Sequence, residues 1–376
     1  MPQHHGIGLL CTTRSLGGIE LNVLRLAAWL RERGHRTLVI GVDDAPLLER
    51  AEAEGLDRLS LGKPPSLIAP GTANRLAAEL QRKDIDTLIL NATRDLSLGV
   101  LTKRASRNTV ALVHTQHMQF GAVKTDFLHR IQHARLDAWI SPLPWLARQT
   151  EEWTTIPHER IHTIPFGIDL AQFQNLPSPK DARRAMDLPQ EAFIAGVIGR
   201  LDRGKGQEFL IRAAALLRDS GAPLHVLLLG AETLGEQQGY ARELHDLTKE
   251  LRLTEHVHFR GFQEDVTMGY AAMDCFVLTS LSETYGMVTI EAMAAGLPVI
   301  GTDSAGTPDI IQHEKTGMLV PPCDAVALAA VLRDLVQNPG LRSSLGSSAH
   351  EDAQHRFSHH TQCARIEELL ERIHSD

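Results

Sequence analysis

The segment 278–303, LTSLSETYGMVTIEAMAAGLPVIGTD, carries two glutamates, Glu283 and Glu291, eight residues apart. An apolar run at 275–281 reads as a buried strand. Ser282 to Gly286 then turn the chain into a helix closed by Gly296 and Pro298, and Val299 and Ile300 begin the next strand. The first backbone N–H groups of such a helix have no partner within it, and a helix end of this kind attracts phosphate. With one carboxylate in the turn and one on the helix, the segment suits a ligand bearing both phosphate and hydroxyl groups, as a nucleotide-sugar does. The pair also admits a plainer reading, in which Glu283 favours the helix dipole and Glu291 is a solvated helix residue.

Three further places carry residues able to do chemistry. Gly199-Arg200-Leu-Asp-Arg-Gly204-Lys205-Gly206 lies between an apolar strand and an amphipathic helix, one residue short of a P-loop, with Gly206 where a Ser or Thr would bind magnesium. Arg200 and Lys205 are suited to neutralising a diphosphate without a metal, or are ordinary surface cations. Gly17-Gly18, after the first strand, lacks the dinucleotide fingerprint and reads as a turn that lets backbone approach a ligand, or as a tight strand-to-helix turn. His114 ends the strand in VALVHTQH. With His117 it could form a metal pair, but no third ligand is evident in the sequence, and a polar loop histidine is the alternative.

The elements that must hold these residues alternate. In the first half, strands are expected at 6–12, 37–42, 87–91, 109–114 and 138–141, and helices at 19–33, 72–82, 95–105 and 124–135. In the second half, strands at 193–199, 225–230 and 257–261 alternate with helices at 207–218 and 240–251. Further helices are expected at 324–337 and 361–374. Two doubly wound parallel sheets with ligands at the carboxyl ends of their strands follow from this alternation. IHTIPFGIDLAQF, then a proline-bearing stretch where periodicity fails, marks a hinge near Gly167. The expected divisions are a first domain at 1–167, a second at 168–355, and a final helical segment at 356–376 that crosses back.

Composition sets bounds on this reading. With 43% hydrophobic and 22% charged residues, the chain is globular. No apolar run reaches the roughly 18 residues of a membrane span, and the apolar start at 7–11 is too short for a signal peptide, so a cytoplasmic protein is expected. Cys11, Cys275, Cys323 and Cys363 have no metal-like spacing and read as reduced thiols. The net charge of -8 argues against nucleic acid; it divides into +3 over residues 1–168 and -11 over the remainder. Arg31, Arg33, Arg36, Lys103, Arg104 and Arg107 are the clusters able to lean on an anionic membrane surface, or form a solvated face.

In order and spacing, these motifs resemble the retaining glycosyltransferases of GT-B architecture, and among them the large family four. The likeness runs through the Gly17-Gly18 loop, Pro-Phe-Gly-Ile-Asp at 165–169, Gly199-Arg200 with Gly204-Lys205-Gly206, Glu283 to Glu291, and the Asp-x-x-Gly-x-Pro loop, where Ala305 stands in place of a glycine common in the family. It implies two Rossmann-like domains facing a cleft. It further implies that Arg200 and Lys205 hold the donor diphosphate, that Gly286, Met287 and Val288 cap its terminal phosphate beside Tyr285, and that Glu291 grips the ribose. Phe262 would face the base and Glu283 the transferred sugar. His114 would sit near sugar and acceptor, with Gly17-Gly18 closing over the phosphates. The activity implied is retaining, metal-independent transfer, needing no cofactor, from a UDP-hexose ahead of GDP-mannose. The acceptor would be a hydroxyl of a glycan or glycolipid such as lipopolysaccharide core, worked on by a cytoplasmic enzyme peripheral to the inner leaflet. The alternatives are a nucleotide-sugar epimerase or hydrolase on the same fold, a P-loop NTPase, and a non-catalytic sugar-nucleotide binder.

Overall fold

Along the first strand, Ile7, Leu9 and Cys11 alternate with Gly8 and Leu10, and the two sets enter different apolar cores. Buried on both faces, such a strand belongs to the middle of a parallel sheet. The computed structural model describes residues 4–63, 69–232 and 239–375, and the chain divides into two units, 1–167 with 359–376, and 168–358.

In the first unit, β1 (Gly6–Leu10), β2 (Arg36–Gly41), β3 (Arg58–Ser60), β4 (Thr87–Leu90), β5 (Ala111–Thr115), β6 (Ala138–Ser141) and β7 (Ile161–Thr163) form one parallel sheet in the order β3-β2-β1-β4-β5-β6-β7. Strand order reverses between β1 and β4, so their carboxyl ends flank a crevice. Val23, Leu24, Ala27 and Leu30 of the helix Gly18–Glu32 bury one face together with Cys363, Ile366, Leu369 and Leu370 of the last helix, His359–Ser375. Each Val, Leu or Ile among them contributes on the order of 1.5–3 kcal/mol when fully buried, enough to hold a helix far away in sequence. Arg33 adds a two-pronged ion pair to Glu367, with N···O distances of 2.6 and 2.6 Å. Helices Pro70–Arg82 and Leu96–Ala105 cover the other face through Leu76, Leu80 and Leu98.

The second unit has β8 (Ile194–Ile198), β9 (His225–Leu229), β10 (Val257–Arg260), β11 (Cys275–Leu278), β12 (Val299–Thr302) and β13 (Met318–Val320) in the order β10-β9-β8-β11-β12-β13, all parallel, with the reversal between β8 and β11. Both units are therefore doubly wound α/β folds.

Several elements differ from expectation. The helix expected at 124–135 is Phe127–His133, because the Asp126 side chain accepts from the N–H groups of Leu128 and His129 and starts the helix there, while Lys124 bridges to Thr154. Helices Pro46–Ala53, Pro144–Trp153 and Pro339–Arg356 lie where no helix was expected. In each, the proline occupies the first turn, where its missing N–H and fixed φ favour a start rather than a break. Residues 356–358 stay with the second unit, and Ile168 N donates to Phe357 O at 2.8 Å where the chain leaves and returns.

Candidate functional site

In the second unit, the loops after β8 and β11 meet at the point where strand order reverses. Leu281 N donates to Gly204 O and Thr279 Oγ1 to Lys205 O, both at 2.8 Å, and these bonds tie the two loops together. Between them, Lys205 Nζ lies 2.5 Å from Glu283 Oε2, and Ser280 Oγ donates to the same carboxylate oxygen at 3.1 Å. Glu283 also accepts Gly306 N at its carbonyl, at 3.0 Å, which ties it to the loop after β12. The helix Met287–Ala294 starts from Gly286, whose φ of 72° is left-handed, and the amides of its first turn, Met287 and Val288 included, are those with no acceptor inside the helix. The arrangement sets a cation, a carboxylate and a helix start side by side.

Gly206 explains why this loop departs from a P-loop. Its φ is 63°, and a Cβ there would stand 2.3 Å from the carbonyl oxygen of Thr279. A serine or threonine at 206 is excluded by the same backbone approach that joins the two loops.

Glu291 is positioned from beneath. The hydroxyl of Tyr270, a fully buried side chain, reaches Glu291 Oε2 at 2.9 Å and the carbonyl of Val288 at 3.0 Å. Burial, followed by the charge of Glu291, holds the Tyr270 phenol well above its ordinary range, so it stays a donor. Arg200, 3.4 Å from Asp202, lines a cavity of about 350 Å³ with Gly199, Gly230, Gln263 and Phe262, whose ring is 77% exposed. The Tyr285 side chain is buried.

In the first unit, Gly17 precedes the helix Gly18–Glu32, and its N–H donates to Glu20 Oε2 at 2.7 Å. Glu20, itself buried, also accepts from Thr13 Oγ1 and Ser15 Oγ, so the glycine loop is clamped to the end of β1. The neighbouring Thr12 is held by Asp95, whose carboxyl is pushed up to about 6 by burial. His114 lies 1% exposed, stacked on Trp139 with ring centroids 4.0 Å apart, and neither ring nitrogen has a hydrogen-bond partner among the described residues. Burial, then His117 and His133, lowers its pKa to about 3. It lines a cavity of about 290 Å³ with Thr13, Asn91, Arg94, His117 and Lys124. His117 approaches Asn91 Oδ1 at 3.2 Å and stacks on Phe166, and the metal-type grouping of three side chains found among the described residues does not include it.

Of the six basic residues in the clusters of the first unit, three are ion-paired among the described residues: Arg33 with Glu367, Arg36 with Asp84 and Lys103 with Asp137. No helix among the described residues is long and apolar enough to cross a membrane.

The family model for glycosyl transferases group 1 matches residues 179–352, and that for glycosyltransferase family 4 matches residues 16–172. A D-inositol 3-phosphate glycosyltransferase of Nocardia farcinica is 31% identical over 373 residues, covering 88% of this chain and 81% of the relative. The chain belongs to the group 1, family 4 glycosyltransferases. A second relative of the same description, from Saccharomonospora viridis, is 27% identical over 92% of this chain and 87% of its own. In fold, this glycosyltransferase is similar to Anabaena HepE, solved with UDP and glucose, at a TM-score of 0.82 and 24% identity, covering 98% of this chain and all of that one. A Rickettsia africae glycosyltransferase gives a TM-score of 0.87 at 18% identity, with 98% of each chain covered. These likenesses establish the GT-B fold of the two parallel sheets.

Sequence reasoning passed over Tyr270, Ser280 and Glu20. Tyr270 had one available signal, since the chain contains only three tyrosines. Glu20 had a stronger one: it lies three residues after Gly17, the spacing at which a glutamate turns back to cap its own helix.

Proposed function

We propose that this glycosyltransferase moves a hexosyl group from UDP to a hydroxyl of a phosphate-bearing polyol or glycan, with retention of configuration and without a metal. The observation that carries the reading is the Lys205–Glu283 pair at the start of the helix Met287–Ala294. Departure of a sugar from a nucleoside diphosphate builds negative charge on phosphate, which fixed cations and amides stabilise most in the transition state. Arg200 and Lys205 can supply that stabilisation without magnesium, and a diphosphate leaving group needs no proton. A Glu283 carboxylate already engaged by an ammonium is a poor nucleophile. Its role in this reading is electrostatic, with the departing phosphate assisting attack on the same face. Glu291, oriented by Tyr270, is suited to ribose hydroxyls.

Arg94 and Lys124 beside His114 support an acceptor that carries phosphate. The curated relatives are named for D-inositol 3-phosphate, and a phosphorylated lipopolysaccharide core sugar offers the same chemistry.

The test is nucleotide release from UDP- and GDP-sugars, with and without EDTA, in the presence of inositol 3-phosphate or inositol, for the wild type and Glu283→Ala. UDP release that depends on the phosphorylated acceptor, ignores EDTA and falls roughly 10²–10³-fold in the variant is expected. Equal release without acceptor would make the protein a hydrolase or epimerase. Magnesium-dependent ATP hydrolysis would restore the P-loop alternative, and binding of UDP without turnover would leave a non-catalytic binder.

A further inference from the structure

His5 immediately precedes β1 and Asp86 immediately precedes β4, and these strands are parallel neighbours. Their side chains thus share the amino-terminal edge of the first unit's sheet, opposite the edge that carries Thr13, Asn91 and His114. His374, near the end of the last helix, arrives at the same place. One ligand atom from each of the three lies within 4.8 Å of the others. His374 Nε2 stands 3.4 Å from Asp86 Oδ1, and His5 Nδ1 stands 3.7 Å from Asp86 Oδ2. The second distance is too long for a hydrogen bond. The first is close to the edge of a tetrahedron with metal–ligand bonds near 2.0–2.1 Å, which is roughly 3.3–3.5 Å, and the second runs to the other oxygen of the same carboxylate, which thus presents one oxygen to each imidazole. The His5 ring is 2% exposed and stacks on His374 at 4.9 Å between centroids, with Nδ1 the nitrogen that faces Asp86.

We propose that His5, Asp86 and His374 form a structural site for a borderline divalent cation of the zinc class, which staples the last helix to the first unit's sheet. Two imidazoles and a carboxylate, with water in the fourth position, match the preference of Zn²⁺, Co²⁺ and Ni²⁺ rather than Mg²⁺ or Ca²⁺. Supporting contacts hold Asp86 in place: Gly6 N donates to Oδ2 at 3.2 Å and Thr87 Oγ1 donates to Oδ1 at 2.8 Å, while the contact of His374 Nε2 with Thr87 Oγ1 at 2.9 Å is the one the cation replaces. Because the site lies at the end of the sheet opposite the cavity lined by His114, its cation acts on stability and not on transfer chemistry.

The test is Co²⁺ titration of the untagged full-length chain, followed by visible absorption and thermal unfolding. One Co²⁺ per chain with the spectrum of a four-coordinate site is expected, and at a hundredfold excess over Kd a rise in melting temperature of roughly 5–10 °C. His374→Ala and Asp86→Asn should both abolish the band and the shift while keeping the far-ultraviolet circular dichroism of the wild type, since neither residue belongs to an apolar core. His258→Ala, which disrupts the separate His225–His258 pair at 2.9 Å, should keep both. EDTA should lower the melting temperature of the loaded protein and leave the initial transfer rate unchanged. Absence of stoichiometric binding to the wild type, binding that survives in either ligand variant, or binding lost in His258→Ala would overturn the proposal.

Discussion

Replacing Gly206 by alanine or serine tests why this loop is not a P-loop. Two costs are separable. A side chain at a φ of 63° is strained by roughly 1–2 kcal/mol. The added Cβ would also lie 2.3 Å from Thr279 O, a backbone atom that cannot swing aside. Relief requires parting the two loops, and with them the Thr279–Lys205 and Leu281–Gly204 hydrogen bonds. Those bonds contribute roughly 0.5–1.5 kcal/mol each. The total is about 2–5 kcal/mol, or a melting temperature lower by roughly 5–15 °C for a unit of this size. Gly296→Ala isolates the first cost, because Gly296 has a φ of 77° with open space around its would-be Cβ. It should lose only roughly 1–2 kcal/mol and retain transfer activity. Thermal unfolding and nucleotide release together read both effects. Gly206→Ser should also lose transfer as Lys205 and Glu283 are pulled apart, and should gain no ATP hydrolysis. A Gly206→Ala protein as stable as Gly296→Ala, or a Gly206→Ser protein that hydrolyses ATP with magnesium, would refute the reasoning.

Two further outcomes follow from buried polar groups. Tyr270→Phe removes the donor that orients Glu291, and should cost about 1–2 kcal/mol of stability while raising KM for the donor more than it lowers kcat. An unchanged KM would remove Glu291 from donor binding. The His114 imidazole, with a folded pKa of about 3 against 6.5 for the free group, resists protonation that the unfolded chain accepts. Stability is therefore complete above pH 6.5 and is lost as pH falls toward 3, by about 1.4 kcal/mol per molecule between pH 7.5 and 5.5. Urea unfolding of His114→Phe should show a loss smaller by about this amount, since His117, His133 and His225, likewise lowered to about 4 by burial, contribute to both proteins; equal pH dependence in both would contradict a buried neutral histidine.

Apolar runs bounded by turn residues, alternating with helical periodicity, determined the two doubly wound sheets, because strand burial and helix amphipathicity are local patterns written directly in the residues. The Glu283–Glu291 segment and the glycine loop with Lys205 were legible for the same reason: a strand, a turn and a helix start lie within one short stretch. The helices beginning at Pro46, Pro144 and Pro339 were not, since a proline signals a break and a start with equal force until the surrounding packing decides. Contacts between distant segments were equally out of reach. Tyr270 beneath Glu291, Thr279 against Gly206, and His374 beside His5 and Asp86 join residues from 21 to 369 positions apart in the chain. Strand order brings such residues together, and only the tertiary structure, by settling which strands are neighbours and which helix covers which face, could place them.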